Sequence, residues 1–184
     1  VTEKDPRGHI VSELEIYKEA HPEEGAVLER FLAFVRSRED AMLRSCAEGH
    51  VTGSAFIVDP GLKRLLLVHH RKLGLWVQPG GHCEAGEEAY EAALREAYEE
   101  TGTRPRPWRD SSIFDIDIHA IPALARSPAH LHYDLRFLFV AEEGPVRLSE
   151  ESRAVEWMDF AEARRRNPEA SILRPLAKIV GLRS

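Results

Sequence analysis

The sequence predicts an α/β or α+β sandwich with a mixed sheet, preceded by a helical extension. Three observations carry this expectation. Residues 1–48 place apolar side chains at helical spacing, the chain after Gly49 switches to period-two strands, and one strong helix interrupts those strands. A length of 184 residues suits one domain, assigned to residues 49–184, with residues 1–48 as its appendage.

In the extension, Leu28, Phe31, Leu32 and Val35, then Met42 and Leu43, recur near i, i+3, i+4 and i+7, which predicts one amphipathic helix. Pro22 marks its start, Glu23 and Glu24 suit the positive end of its dipole, and Gly49 is its expected stop. A shorter helix is expected around Glu13–Ala20. An amphipathic helix must cover its apolar stripe, so these helices are expected to pack on the core or at a homodimer interface.

Val51–Val58 and Lys63–His70 read as strands joined by the Asp59-Pro60-Gly61 turn. Leu73–Gln78 reads as extended and ends at Pro79-Gly80-Gly81. Glu87 to Thr101 is the clearest helix, closed by Gly102. Phe114, Ile116 and Ile118 then alternate with Asp115, Asp117 and His119. Leu131, Tyr133, Leu135, Phe137 and Phe139 alternate with His132, Asp134 and Arg136. Both runs predict half-buried strands with one polar face. A last strand is expected at Val155–Met158, with helical turns from Ala161 and from Pro168 to Leu182.

The formal net charge of −6, from 31 acidic against 25 basic residues, disfavours nucleic acid as partner. No apolar run approaches the roughly 20 residues of a membrane span, so no membrane partner is expected. Two cysteines, Cys46 and Cys83, rule out a disulfide framework and suit a reducing compartment. With no apolar run near Val1 to act as a signal peptide, the expected location is cytoplasmic.

The chemistry concentrates in the helix after Gly81. At 3.6 residues per turn, Glu96, Glu99 and Glu100 share one arc with the small Ala89 and Ala92. Carboxylates so gathered repel one another unless a cation sits among them, and Mg²⁺ pairs with a few carboxylates plus substrate phosphates. The bland alternative is a solvated acidic face.

The spacing of Gly81, Glu87, Arg95, Glu96, Ala97, Glu99, Glu100 and Gly102 resembles the signature of the Nudix hydrolases. Thr103 and Ala97 depart from it, at packing positions only. The run from His69 to His82 is similar to that of a bacterial group of these proteins. The resemblance implies an α/β/α sandwich over roughly residues 50–160 and hydrolysis of a diphosphate linkage in a small-molecule nucleoside diphosphate derivative. It implies Mg²⁺, with Mn²⁺ as substitute, held by Glu96, Glu99, Glu100 and the Gly81 carbonyl. Arg95 is expected to orient a glutamate, and Glu87 to support the loop. The general base is expected to be Glu96 or a loop glutamate, Glu151 before Glu150.

Substrate contacts are expected from His70, Trp76, Gln78, His82, His119, His132, Asp134 and Arg136. For the strand rows of Asp117, His119, His130, His132 and Asp134, substrate contact is weighed against polar strand faces and a dedicated metal site. Trp76 and Tyr133 suit base stacking or the core, with the core favoured. The alternative to an enzyme is a non-hydrolytic nucleotide-binding or regulatory module on the same fold. An isopentenyl diphosphate isomerase is disfavoured, because it needs a cysteine context absent here.

Overall fold

The computed structural model describes residues 6–123 and 128–183. The chain opens with α1 (Pro6–Ala20), a single 3₁₀ turn (Pro22–Glu24) and α2 (Gly25–Ser37). Four strands follow, β1 (Gly49–Val58), β2 (Arg64–His70), β3 (Trp76–Val77) and β4 (Gly80–His82), before α3 (Ala89–Thr101). Then come β5 (Arg106–Pro107), β6 (Asp115–Ile121), β7 (His130–Val140), β8 (Ser152–Asp159), α4 (Phe160–Arg166) and α5 (Ala170–Gly181).

The sheet is mixed. β1 and β7 run parallel along their shared length, from Gly49 opposite Leu131 to Val58 opposite Val140. β2 and β4 flank β1 antiparallel, β5 and β6 flank β7 antiparallel, and β3 and β8 pair with β2. Helices cover both faces. Val51, Ala55, Ile57, Leu135, Phe137 and Phe139 join Leu14, Phe31, Ala93 and Ala97 from the first three helices. On the opposite face Phe56, Val58, Leu138 and Val140 pack with Ile172, Leu176 and Ile179 of α5. Phe34 of α2 stacks on Tyr133 of β7, with centroids 3.9 Å apart and rings 4° from parallel.

Several boundaries differ from the sequence reading, three of them near the core and the site. The second helix stops at Ser37, because Arg38 turns extended and the Ala41 carbonyl accepts a bond from Val51 N–H at 2.8 Å. The apolar spacing that continues to Met42 is therefore served by turns tied to β1. α1 starts at Pro6, whose fixed φ suits a first helical position, and buries Ile10, Leu14 and Tyr17. β4 forms where a turn was read, because Gly80 and Gly81 lie flat against Ser54 and Gly53 of β1.

The polar rows of β6 and β7 face inward at one end. Arg136 is 1% exposed. Its guanidinium bonds Asp134 at 2.9 Å, Asp115 at 3.2 Å and Asp117 at 3.1 Å. Arg174 of α5 grips Asp115 at 2.9 and 2.8 Å, and Lys178 reaches Asp115 at 2.7 Å and the Tyr17 hydroxyl at 2.6 Å. Burial alone raises the Asp115 pKa, yet Arg174, Arg136 and Lys178 hold it below the usual carboxylate range. This network fastens α1 and α5 to the edge of the sheet.

Candidate active site

α3 is fixed at both ends. Glu88 caps it, with Glu91 Oε2 accepting from the Glu88 amide at 3.0 Å, and Gly102 closes it at φ 73° with its N–H on the Tyr98 carbonyl. Ala89, Ala92, Ala93 and Ala97 are buried, so the helix sits low on the sheet. Gly53 permits this approach, since a Cβ there would stand 2.0 Å from the Ala89 carbonyl oxygen. The low seat brings Glu96 onto β4, where a Cβ on Gly81 would stand 2.3 Å from Glu96 Oε1.

Arg95 organises the surrounding carboxylates. Its Nε and Nη2 donate to the two oxygens of Glu87, each at 2.9 Å, a two-pronged pairing. Nη2 also donates to the His82 carbonyl at 2.8 Å. Nη1 donates to Glu96 at 2.8 Å and to Glu99 at 3.2 Å. One guanidinium thus joins the loop, β4 and two of the three clustered glutamates. Glu87 touches no other glutamate of the cluster among these bonds; its partners are Arg95 and the Glu84 amide.

The cluster is electrostatically loaded. Burial, then the charges of Glu96 and Glu151, pushes Glu100 up to about 8, although the Gly80 backbone favours its ionised form. Burial also raises Glu96, against the pull of Arg95. Glu100 Oε2 is buried and has no hydrogen-bond partner among the described residues. An orphaned carboxylate oxygen beside two further carboxylates and a close-approaching glycine backbone fits a hard divalent cation with oxygen ligands.

The remaining candidates divide into three groups. Glu151 lies over this cluster's field and stands 3.9 Å from both His70 and Lys72. Trp76 is turned to the core side, stacked on His69 at 5.0 Å with Arg166 over its ring. Asp134 is occupied by Thr52, Ser54 and Arg136, with Gln78 at 3.4 Å, and Arg136 is saturated by aspartates and the Ser171 carbonyl. His119 donates Nδ1–H to Asp117 at 3.1 Å. His82 and His132 lie together on the sheet face opposite Glu96, beside His50 and His130. Burial, then Arg44, pushes His82 down to about 3, and burial pushes His132 down to about 2, so both rings are neutral near pH 7.

His50 was not among the sequence candidates. It becomes a neighbour of His132 only through the parallel β1–β7 register, which no local pattern encodes. Cys83 is buried and its thiol is pushed up to about 12 by burial, which rules it out as a thiolate nucleophile near neutrality.

Comparison with known proteins places this geometry. The family model described as NUDIX domain matches residues 49–178. The m7GpppN-mRNA hydrolase NUDT17 of Xenopus laevis is 32% identical over 120 residues, 58% of this chain and 40% of that protein. Phosphatase NudJ of Escherichia coli K12 is 38% identical over 95 residues, 50% of this chain and 54% of that protein. The chain spans about half or less of the length of these curated relatives. Among solved structures, the E. coli dihydroneopterin triphosphate pyrophosphohydrolase superposes with a TM-score of 0.56 at 18% identity, over 71% of this chain and 95% of that one. A NUDIX-family hydrolase from Clostridium perfringens gives 0.52 at 22% identity, over 72% and 97%. These two likenesses concern the fold. The matched span contains the Gly81 approach, the Arg95 hub and the glutamate cluster, and the chain belongs to the Nudix hydrolase family.

Proposed function

We propose that the protein is a Mg²⁺-dependent pyrophosphohydrolase that cleaves a diphosphate linkage in a nucleoside diphosphate derivative by attack of water on phosphorus. The observation that carries this reading is Glu96 packed against Gly81, with Glu100 at the Gly80 backbone in the field of Glu96 and Glu99 and its buried Oε2 without a hydrogen-bond partner among the described residues. Glu96, Glu99, Glu100 and the Gly81 carbonyl would hold Mg²⁺, with Mn²⁺ as substitute. When bound, such an ion polarises a phosphoryl oxygen, offsets the charge of the diphosphate and lowers the pKa of water.

The chain's own residues supply position and proton transfer. Arg95 holds Glu96 and Glu99 in place while Glu87 fixes Arg95 from behind. Glu96 is the first candidate to take the proton of the attacking water, and its raised pKa brings its basicity closer to that task. Glu151 is the second, held near the cluster beside His70 and Lys72. The relatives' names, an mRNA-cap hydrolase and a phosphatase, support phosphate chemistry without selecting a leaving group.

The test is a panel of nucleotide sugars, ADP-ribose, dinucleoside polyphosphates and nucleoside triphosphates, incubated with the full chain and Mg²⁺. Release of a nucleoside monophosphate from at least one member is the expected result. Tight nucleotide binding with no turnover across the panel would instead make this a binding module.

A further inference from the structure

We propose that His50, His82, His130 and His132 form a second cation site, built for a Zn²⁺-like transition-metal ion and separate from the glutamate cluster. One ligand nitrogen from each of these residues lies within 4.8 Å of all the others. Their rings close on one another with centroid separations of 4.7 to 5.1 Å. Three strands converge to make the set: His50 from β1, His82 from β4, and His130 and His132 two residues apart on β7.

The detailed geometry fits an ion. Zinc–imidazole bonds of about 2.0–2.1 Å in a tetrahedral shell place neighbouring nitrogens about 3.3–3.4 Å apart. His130 Nε2 and His132 Nε2 stand 3.3 Å apart. His130 Nδ1 lies 2.8 Å from the Pro128 carbonyl, which only accepts, so Nδ1 carries the proton and the Nε2 lone pair points into the cluster. A backbone carbonyl on the far ring nitrogen is the usual outer support of a metal-binding histidine. His119, with its Nδ1–H on Asp117, stands beside His132 at 5.5 Å as a further imidazole.

His50 supplies the independent observation. It is 4% exposed, and neither of its ring nitrogens has a hydrogen-bond partner among the described residues. A buried imidazole with both nitrogens idle is costly unless something binds it. Four imidazole nitrogen donors suit Zn²⁺, Cu²⁺ or Ni²⁺ and discriminate against Mg²⁺, which prefers oxygen. An ion there would clamp β4 and the start of β7 to β1. Because the His82 carbonyl accepts from Arg95, occupancy would also steady the backbone next to Gly81.

The experiment is a titration of the untagged full chain with Co²⁺ and with Zn²⁺, read by the visible absorption of Co²⁺ and by competition with a chromophoric chelator. Wild-type protein should take up one equivalent with the intense bands of tetrahedral Co²⁺. His130→Gln and His50→Gln should each weaken binding at least about tenfold, since even outer-shell changes cost 10–100-fold. Glu99→Gln should leave the tetrahedral bands unchanged. His130 is the more exposed ligand, so its variant carries the test if His50→Gln misfolds by circular dichroism. Absence of tetrahedral bands, wild-type affinity in His130→Gln, or bands lost only in Glu99→Gln would each overturn the site.

Discussion

Glu100 gives the sharpest prediction, because its environment opposes its charge. The residue is 8% exposed, and burial with the charges of Glu96 and Glu151 lifts its pKa from the ordinary 4.5 to about 8. An acid whose pKa is raised by folding favours the fold in its neutral form. That contribution is complete below the unfolded value of about 4.5 and is lost as pH rises through about 8. At 1.36 kcal/mol per pKa unit, the gap amounts to at most about 5 kcal/mol. Chelator-treated wild-type protein should therefore lose stability between about pH 5 and 9, and Mg²⁺ should restore it at the alkaline end. Glu100→Gln keeps the shape and removes one ionisation, so its stability should fall less over that range than the wild type's, with Glu96 left to titrate, and should respond less to Mg²⁺. Urea melts in chelator at stepped pH, repeated with Mg²⁺, measure both effects. Parallel pH curves for wild type and Glu100→Gln would refute the reasoning.

Gly81→Ala would drive a methyl group to within 2.3 Å of Glu96 Oε1, so the carboxylate must move; turnover should fall at least about tenfold, about 1.4 kcal/mol, with the circular dichroism spectrum unchanged. Arg95→Lys loses the two-pronged grip on Glu87 and should lower stability by about 1–3 kcal/mol in urea melts, with a further loss of kcat from the displaced Glu96. Asp115→Ala strips Arg136, Arg174 and Lys178 of a buried partner and should cost about 3–5 kcal/mol by thermal or urea unfolding. Since folding depresses the Asp115 pKa, its contribution is present above the unfolded value and lost as pH falls, so the variant should lose less on acidification than wild type.

Periodicity and turn chemistry made most elements readable. The alternation read from Phe114 to His119 lies on β6 from Asp115 onward, that of Leu131 to Phe139 lies on β7, and the Gly102 stop holds at a left-handed φ of 73°. The spacing from Gly81 to Gly102 exposed the glutamate arc because a helix converts fixed separation into a shared face. What stayed hidden was non-local. Pairing of β1 with β7 across some eighty residues turned His50 into a neighbour of His132 and sent Asp134 and Arg136 into an internal ion network. A polar strand face looks the same in sequence whether water or buried counter-charges meet it. The short β4 was also illegible, because two glycines signal a turn unless a neighbouring strand, here Gly53 and Ser54 of β1, straightens them.

The central claim is that Glu96, Glu99 and Glu100, beside the Gly80-Gly81 strand, serve a metal-dependent hydrolysis. The most direct measurement is monophosphate release from the best panel substrate against Mg²⁺ concentration, wild type beside Glu99→Gln. Glu99 is the exposed member of the cluster, so its isosteric variant should keep the fold. The account predicts saturable Mg²⁺ dependence in the wild type and loss of turnover in Glu99→Gln. Full Mg²⁺-dependent activity in that variant, or wild-type turnover unaffected by a chelator, would contradict it.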